Sequence, residues 1–78
     1  MTIGEKISLL RKTHNLSMES LSEKVGVSRI TLYNWEKDIN NPSLRNIIKL
    51  SVIFDLPLEV LLDERISFNK GIYIKNST

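Results

Sequence analysis

A chain of 78 residues, 41% hydrophobic and 26% charged, has room for one small folded domain with a modest core and is too apolar for a disordered tail. It has no cysteine, which excludes disulfides and thiolate metal sites, and no apolar run near the ~20 residues that span a bilayer, so a cytoplasmic protein with no membrane partner is expected. The net charge of +2 and the sequence pI of about 9.1 lean only weakly toward polyanion binding, although the excess positive charge falls within residues 1–54.

The elements follow in chain order. Thr2-Ile-Gly-Glu5 has capping-box spacing, and Ile3, Ile7 and Leu10 recur at three- and four-residue steps, which predicts a first helix to about Thr13, ended by His14-Asn15. Ser17 is a good N-cap for a second, short helix carrying Leu21 and Val25, with Leu16 as the apolar residue before the cap and Gly26 as its stop. Only Gly26-Val27 separate it from Ser28, the cap of a third helix whose Leu32 and Trp35 face inward. Two helices joined this tightly cross steeply, as in a helix-turn-helix.

After the polar loop Asp38-Ile-Asn-Asn-Pro42, Ser43 caps a fourth helix with a wide apolar stripe of Leu44, Ile47, Ile48 and Leu50, extended by Phe54. Asp55-Leu-Pro57 breaks it, and Leu58 to about Glu64 makes a last short helix carrying Leu58, Leu61 and Leu62. In the tail, Ile66 and Phe68, then Ile72 and Ile74, flank Asn69-Lys-Gly71, a pattern for a small hairpin or strand. A lone hairpin is marginal in water and needs a partner surface, for which a second copy of the protein is one source. A partly ordered tail is the alternative.

The third helix poses the functional question, because Arg29, Ile30, Tyr33 and Asn34 share its outer face. A guanidinium, an amide, a phenol and an aliphatic chain together do not make an ordinary solvated face, and Ile30 in particular needs a partner. Enzyme readings find little support. The single His14 has no cysteine or second histidine with which to form a metal or nucleophile site, Asp63 and Glu64 diverge as neighbours on a helix, and there is no glycine-rich phosphate loop. No metal or cofactor is expected.

Residues 3–62 resemble the Cro and phage-repressor family of helix-turn-helix domains, the xenobiotic-response-element type of bacterial regulator. The segments that carry the resemblance are Ile3-Gly-Glu-Lys-Ile7, Leu9-Leu-Arg-Lys12, Asn15-Leu-Ser-Met-Glu-Ser-Leu21, Lys24-Val-Gly-Val-Ser-Arg29, Trp35-Glu-Lys37, Asn41-Pro-Ser-Leu44 and Leu58-Glu-Val-Leu-Leu62. An isolated Asn-Pro-Ser is weak, whereas this ordered series over most of the chain is specific. The resemblance implies an all-α, five-helix, lambda-repressor-like bundle over residues 1–64; residues 65–78, read from their own pattern, are a short tail, a strand or hairpin or else partly ordered, and a candidate dimerisation element. Residues 18–25 are then the supporting helix and 29–37 the recognition helix, which in such domains lies in the DNA major groove.

On that basis Arg29 is suited to guanine O6 and N7, Asn34 to adenine, Ile30 to a thymine methyl, and Tyr33 to a methyl or a phosphate. Phosphate contacts are expected from Ser17 and the amides at Met18, from Lys37, and from Asn40, Asn41, Ser43 and Arg45. Many relatives carry glutamine where Met18 stands, so here only the backbone contact is implied. Arg11 and Glu36 occupy positions that pair across the first and third helices in relatives. Asp38 and Asp55 stand where glycine is common, implying left-handed backbone or altered loops, and Ser22 replaces a frequent alanine, its hydroxyl free to bond back to the helix.

The expected function is a sequence-specific double-stranded DNA-binding transcriptional regulator, a repressor acting as a homodimer on an inverted repeat. Leu58, Leu61, Leu62, Ile66, Phe68, Ile72 and Ile74 are the candidate dimer surface, unless the same leucines complete the monomer core. The alternative is a protein-binding module, an antitoxin or anti-repressor with secondary or no DNA contact. The low net charge and Met18 favour it, and a protein regulator is a further candidate partner.

Overall fold

The computed structural model describes residues 1–69 and 72–75. Five helices, α1 (Ile3–Thr13), α2 (Met18–Val25), α3 (Arg29–Glu36), α4 (Leu44–Ile53) and α5 (Leu58–Leu62), precede two strands, β1 (Ile66–Asn69) and β2 (Ile72–Lys75). The fold is the all-α bundle expected, with a small antiparallel ribbon at its end.

Local chemistry sets the helix starts. Thr2 forms the full capping box with Glu5, and Ser17, Ser28 and Ser43 each accept the amide of the residue three positions on. The stops use left-handed residues: Gly26 at φ 88° after α2, and Asn15, Asp38 and Asp55 at φ between 53° and 57° after α1, α3 and α4. The two aspartates thus take the conformation for which glycine is the common choice. Ser22, buried, returns its hydroxyl to the carbonyl of Glu19 at 2.9 Å.

The core gathers one stripe from each helix, with Ile7 and Leu10, Leu21 and Val25, Leu32 and Trp35, Ile47 and Leu50, and Val60 and Leu61 all buried. α3 lies between α1 and α2, while α4 and α5 close the other side and β1 rests on α1. The loops keep α2 and α3 at the edge of the bundle, so α3 buries one face and leaves the opposite one in solvent. No helix among the described residues is long and apolar enough to cross a membrane.

Three expectations change. The stripe of α4 is narrower than its apolar spacing predicts: Leu44 is 58% and Ile48 45% exposed, because α2 and α5 flank only the face carrying Ile47 and Leu50. α5 ends at Leu62, not near Glu64, because Asp63 is extended and its carboxylate accepts the amide of Arg65 at 2.9 Å. Of the apolar residues expected at a dimer surface, Leu61, Ile66 and Phe68 are buried in the chain's own core, Leu58 is half-buried and Leu62 is exposed. β1 therefore finds its partner surface on α1. Its register opposes Ile72 to Asn69 and Ile74 to Ser67, the positions alternating with Ile66 and Phe68, and the expected contacts of the Ile72 and Ile74 side chains lie outside the described residues.

Candidate nucleic-acid interface

α3 carries the mixed face into solvent. Leu32, Trp35 and Glu36 are buried, whereas Arg29 and Ile30 are exposed, Ile30 by 69%, and Tyr33 is exposed by 45%. Asn34 is half-buried near the helix end, where its carbonyl accepts the amides of Ile39 and Asn40. Lys37, the C-cap, leans over the Tyr33 ring with its ammonium 5.7 Å from the centroid, a cation–π contact at the far end of the same face.

Met18, Arg29, Ile30 and Tyr33 surround one open depression of about 310 Å³ between the start of α2 and the outer face of α3. Met18 is half-buried and packs against the core, so α2 contributes a side chain as well as a helix start. Ser17 and Ser43 use their hydroxyls on the amides of Ser20 and Asn46, leaving the first amides of α2 and α4 without partners in their own helices. Both starts therefore present N–H groups, favourable to an anion. Asn40, Asn41 and Arg45 are exposed around the second start, and Asn41 also lines a cleft of about 230 Å³ with Ile3, Pro42 and Leu62.

The position of α3 is set from behind. Arg11 on α1 bonds both carboxylate oxygens of Glu36, at 2.7 and 3.2 Å, and gives a third hydrogen bond to the Leu16 carbonyl at 3.0 Å. The pair is largely shielded, with 13% and 4% of the two side chains exposed. At the other end of α1 the Asp38 carboxylate accepts the Thr2 hydroxyl at 2.6 Å and the Gly4 amide at 3.1 Å. Gly4 allows this approach, since a Cβ there would lie 2.3 Å from the Trp35 carbonyl oxygen.

Three positioning residues are not evident from sequence reasoning. Asp38 acts through its side chain, capping α1 as well as turning the chain. Lys49 on α4 donates to the Val25 carbonyl at 3.2 Å and so holds the end of α2 beside the motif turn. Lys6 is fully buried, its ammonium donating to the carbonyls of Val60 at 2.7 Å and Asp63 at 2.6 Å. Burial lowers its pKa, with Asp63 and Glu64 opposing the shift. The available signal was register: Lys6 falls between Ile3 and Leu10 at the three- and four-residue steps of the inward face.

The comparisons with known proteins match this geometry. A family model described as helix-turn-helix matches residues 7–61. The transcriptional regulator SinR of Bacillus subtilis (strain 168) is 36% identical over 64 residues, covering 81% of this chain and 58% of SinR. The chain thus spans little more than half the length of that relative. A crystal structure of SinR in complex with DNA is similar with a TM-score of 0.72 at 35% identity, covering 80% of this chain and 100% of that one. The P22 c2 repressor bound to a synthetic operator is similar with a TM-score of 0.76 at 28% identity, covering 81% and 96% of the two chains.

Proposed function

Because this chain belongs to the helix-turn-helix family of the Cro and phage-repressor type, we propose that it is a sequence-specific double-stranded DNA-binding transcriptional regulator, a repressor that binds an inverted repeat as a homodimer. The observation that carries this reading is α3 itself: its inward residues are buried while Arg29, Ile30 and Tyr33 stand in solvent with Met18 at the start of α2 beside them. Arg29 then reads guanine, Asn34 adenine, and Ile30 and Tyr33 the neighbouring edges. The amides at Ser17 and Met18, together with Lys37, Asn40, Asn41, Ser43 and Arg45, hold phosphates that fix the register. Two of the proteins it resembles, SinR in complex with DNA and the P22 c2 repressor in complex with a synthetic operator, support the same reading.

Dimerisation follows from economy of surface. One such module reads few base pairs, and two copies on half-sites about one DNA turn apart multiply the specificity. The candidate surface for a second copy takes in the exposed Leu62 and the accessible part of Leu58; Leu44 and Ile48 of α4 are exposed as well. Sedimentation should reveal a concentration-dependent dimer that Leu62→Glu converts to monomer. A wild-type chain that stays monomeric and loads singly on its operator would remove the dimer from the proposal.

Selection from a randomised duplex library, followed by affinity against salt, tests the whole. The expected result is an enriched inverted repeat whose binding weakens steeply with salt as phosphate counterions are released. A library with no enrichment and weak binding even at low salt would overturn it. The net charge of +2 and the apolar α4 surface would then favour the protein-binding module, an antitoxin or anti-repressor docking a protein regulator.

A further inference from the structure

α4 buries Ile47 and Leu50 but carries a second apolar row that the described residues leave in solvent. Leu44, Ile48 and Val52 are 58%, 45% and 74% exposed and recur at four-residue steps, so they form one ridge along the helix. A charge of opposite sign stands near each end of it: Arg45 in the first turn and Asp55 just past the last. Both are exposed, and among the described residues neither side chain has a hydrogen bond or ion pair. Lys49, the other cation of the helix, is turned to the Val25 carbonyl. Ridges of this four-residue spacing interdigitate in the commonest class of helix packing. Set against a copy of itself running the opposite way, with Ile48 on the two-fold axis, the ridge lays Leu44 on the second copy's Val52 and Val52 on its Leu44. At 1.5 Å per residue, Arg45 lies about 4.5 Å before Ile48 and Asp55 about 10 Å after it, so the reversed copy brings its Asp55 within about 6 Å of Arg45 along the axis. That offset is within reach of a guanidinium, and symmetry makes the pair twice. A parallel copy would set Arg45 beside Arg45.

We infer that the Leu44, Ile48 and Val52 ridge of α4 is a docking surface for a second copy of this chain, paired antiparallel about Ile48 with Arg45 of each copy bonded to Asp55 of the other. A foreign helix would have to bring the complementary pattern, whereas a second copy carries it by symmetry. This surface is additional to Leu58 and Leu62 of α5. Three aliphatic side chains per copy fall well short of the roughly 1,000 Å² that a stable interface buries, so the pairing is transient in dilute solution and forms where chains are concentrated. Arg45 is also among the residues proposed above to hold phosphate, and on that reading the pairing belongs to chains free of DNA.

Disulfide trapping detects a transient contact of this kind, and the chain has no cysteine of its own to interfere. Under mild oxidation without DNA, Ile48→Cys should cross-link about tenfold faster than Leu44→Cys, because the two Leu44 positions lie about 12 Å apart along the axis, beyond the reach of a disulfide. Both side chains are exposed, so neither change disturbs the core. Adding Arg45→Glu or Asp55→Arg to the Ile48→Cys chain should slow its cross-linking, since each sets like charges together. Mixing those two variants should restore the rate, with the cross-link formed between unlike chains, and that recovery also shows that both are folded. Equal rates for Ile48→Cys and Leu44→Cys, or a mixture no faster than its components, would overturn the inference and leave the ridge to a different protein. With no DNA in the reaction, neither result bears on the DNA reading.

Discussion

Arg11 and Glu36 show at the scale of single residues how the reading face is held. Their two hydrogen bonds join α1 to the last turn of α3, and the low exposure of both side chains means that neither charge is well solvated alone. Arg11→Met should therefore destabilise the domain by roughly 3 to 5 kcal/mol, because it leaves the Glu36 carboxylate buried without a counter-charge. The double variant Arg11→Met, Glu36→Leu should recover much of that loss in urea unfolding. If the single and double variants unfold together, the pair is not acting as a pair. Arg29, fully on the outer face, should behave oppositely: Arg29→Ala leaves the unfolding midpoint within experimental scatter but costs about 1 to 3 kcal/mol of specific affinity and relaxes one base position in the selected site. The exposed character of Arg29 was legible in the helical period of its neighbours. The role of Lys6 was not, since its carbonyl partners lie 54 and 57 residues along the chain and exist only after α5 has folded onto α1.

At the scale of elements, the starts were more legible than the ends. A serine cap acts on an amide three residues away, so Ser17, Ser28 and Ser43 mark their helices in any short window of sequence. Ends depend more on what they meet, as the extended Asp63 after α5 illustrates. Asp38 and Asp55 make a controlled comparison. Both are left-handed at nearly the same φ, but the Asp38 carboxylate also caps α1, a contact for which Asp55 has no counterpart among the described residues. Asp55→Ala should cost about 1 kcal/mol, for the left-handed backbone alone. Asp38→Ala should cost about 2 kcal/mol, with the lost cap added, and denaturant midpoints decide between them. Equal losses at the two sites would mean that the Asp38 bonds contribute nothing net. The exposed Leu44 and Ile48 of α4 teach the same lesson from the other side: an apolar period shows which faces a helix has, not how many neighbours arrive to cover them.

For the whole molecule the acid response follows from two carboxylates. The Thr2 backbone amide donates to Glu5 at 2.9 Å and holds its pKa below the ordinary value, and hydrogen bonds from the Arg65 side chain hold Asp63 well below its own ordinary value. Each group binds its proton more weakly folded than unfolded. The stability it adds is complete above the ordinary carboxylate pKa of about 4 and is lost as pH falls through the depressed folded value. The thermal midpoint should therefore drop on acidification below that range, and Glu5→Gln together with Asp63→Asn should flatten the drop. A double variant with the wild-type acid slope would place the linkage elsewhere. Both interactions sit where α1 begins and α5 ends, where the Lys6 ammonium and the terminal amine, donating to the Glu64 carbonyl at 3.0 Å, also join the two helices.

The amino-acid sequence alone determined the number of helices, the caps that start most of them, the stops at Asn15 and Gly26 and the mixed outer face of α3, because each is written within a few residues by hydrogen-bonding reach or helical period. The tertiary structure decided which apolar residues form the core. It buried Leu61, Ile66 and Phe68 within one chain and left Leu44, Ile48 and Leu62 outside. It also decided that Met18 of α2 would join Arg29, Ile30 and Tyr33 of α3 around one depression. The physical reason is common to both: burial and shared cavities are properties of surfaces brought together from distant parts of the chain, and no local window contains both surfaces.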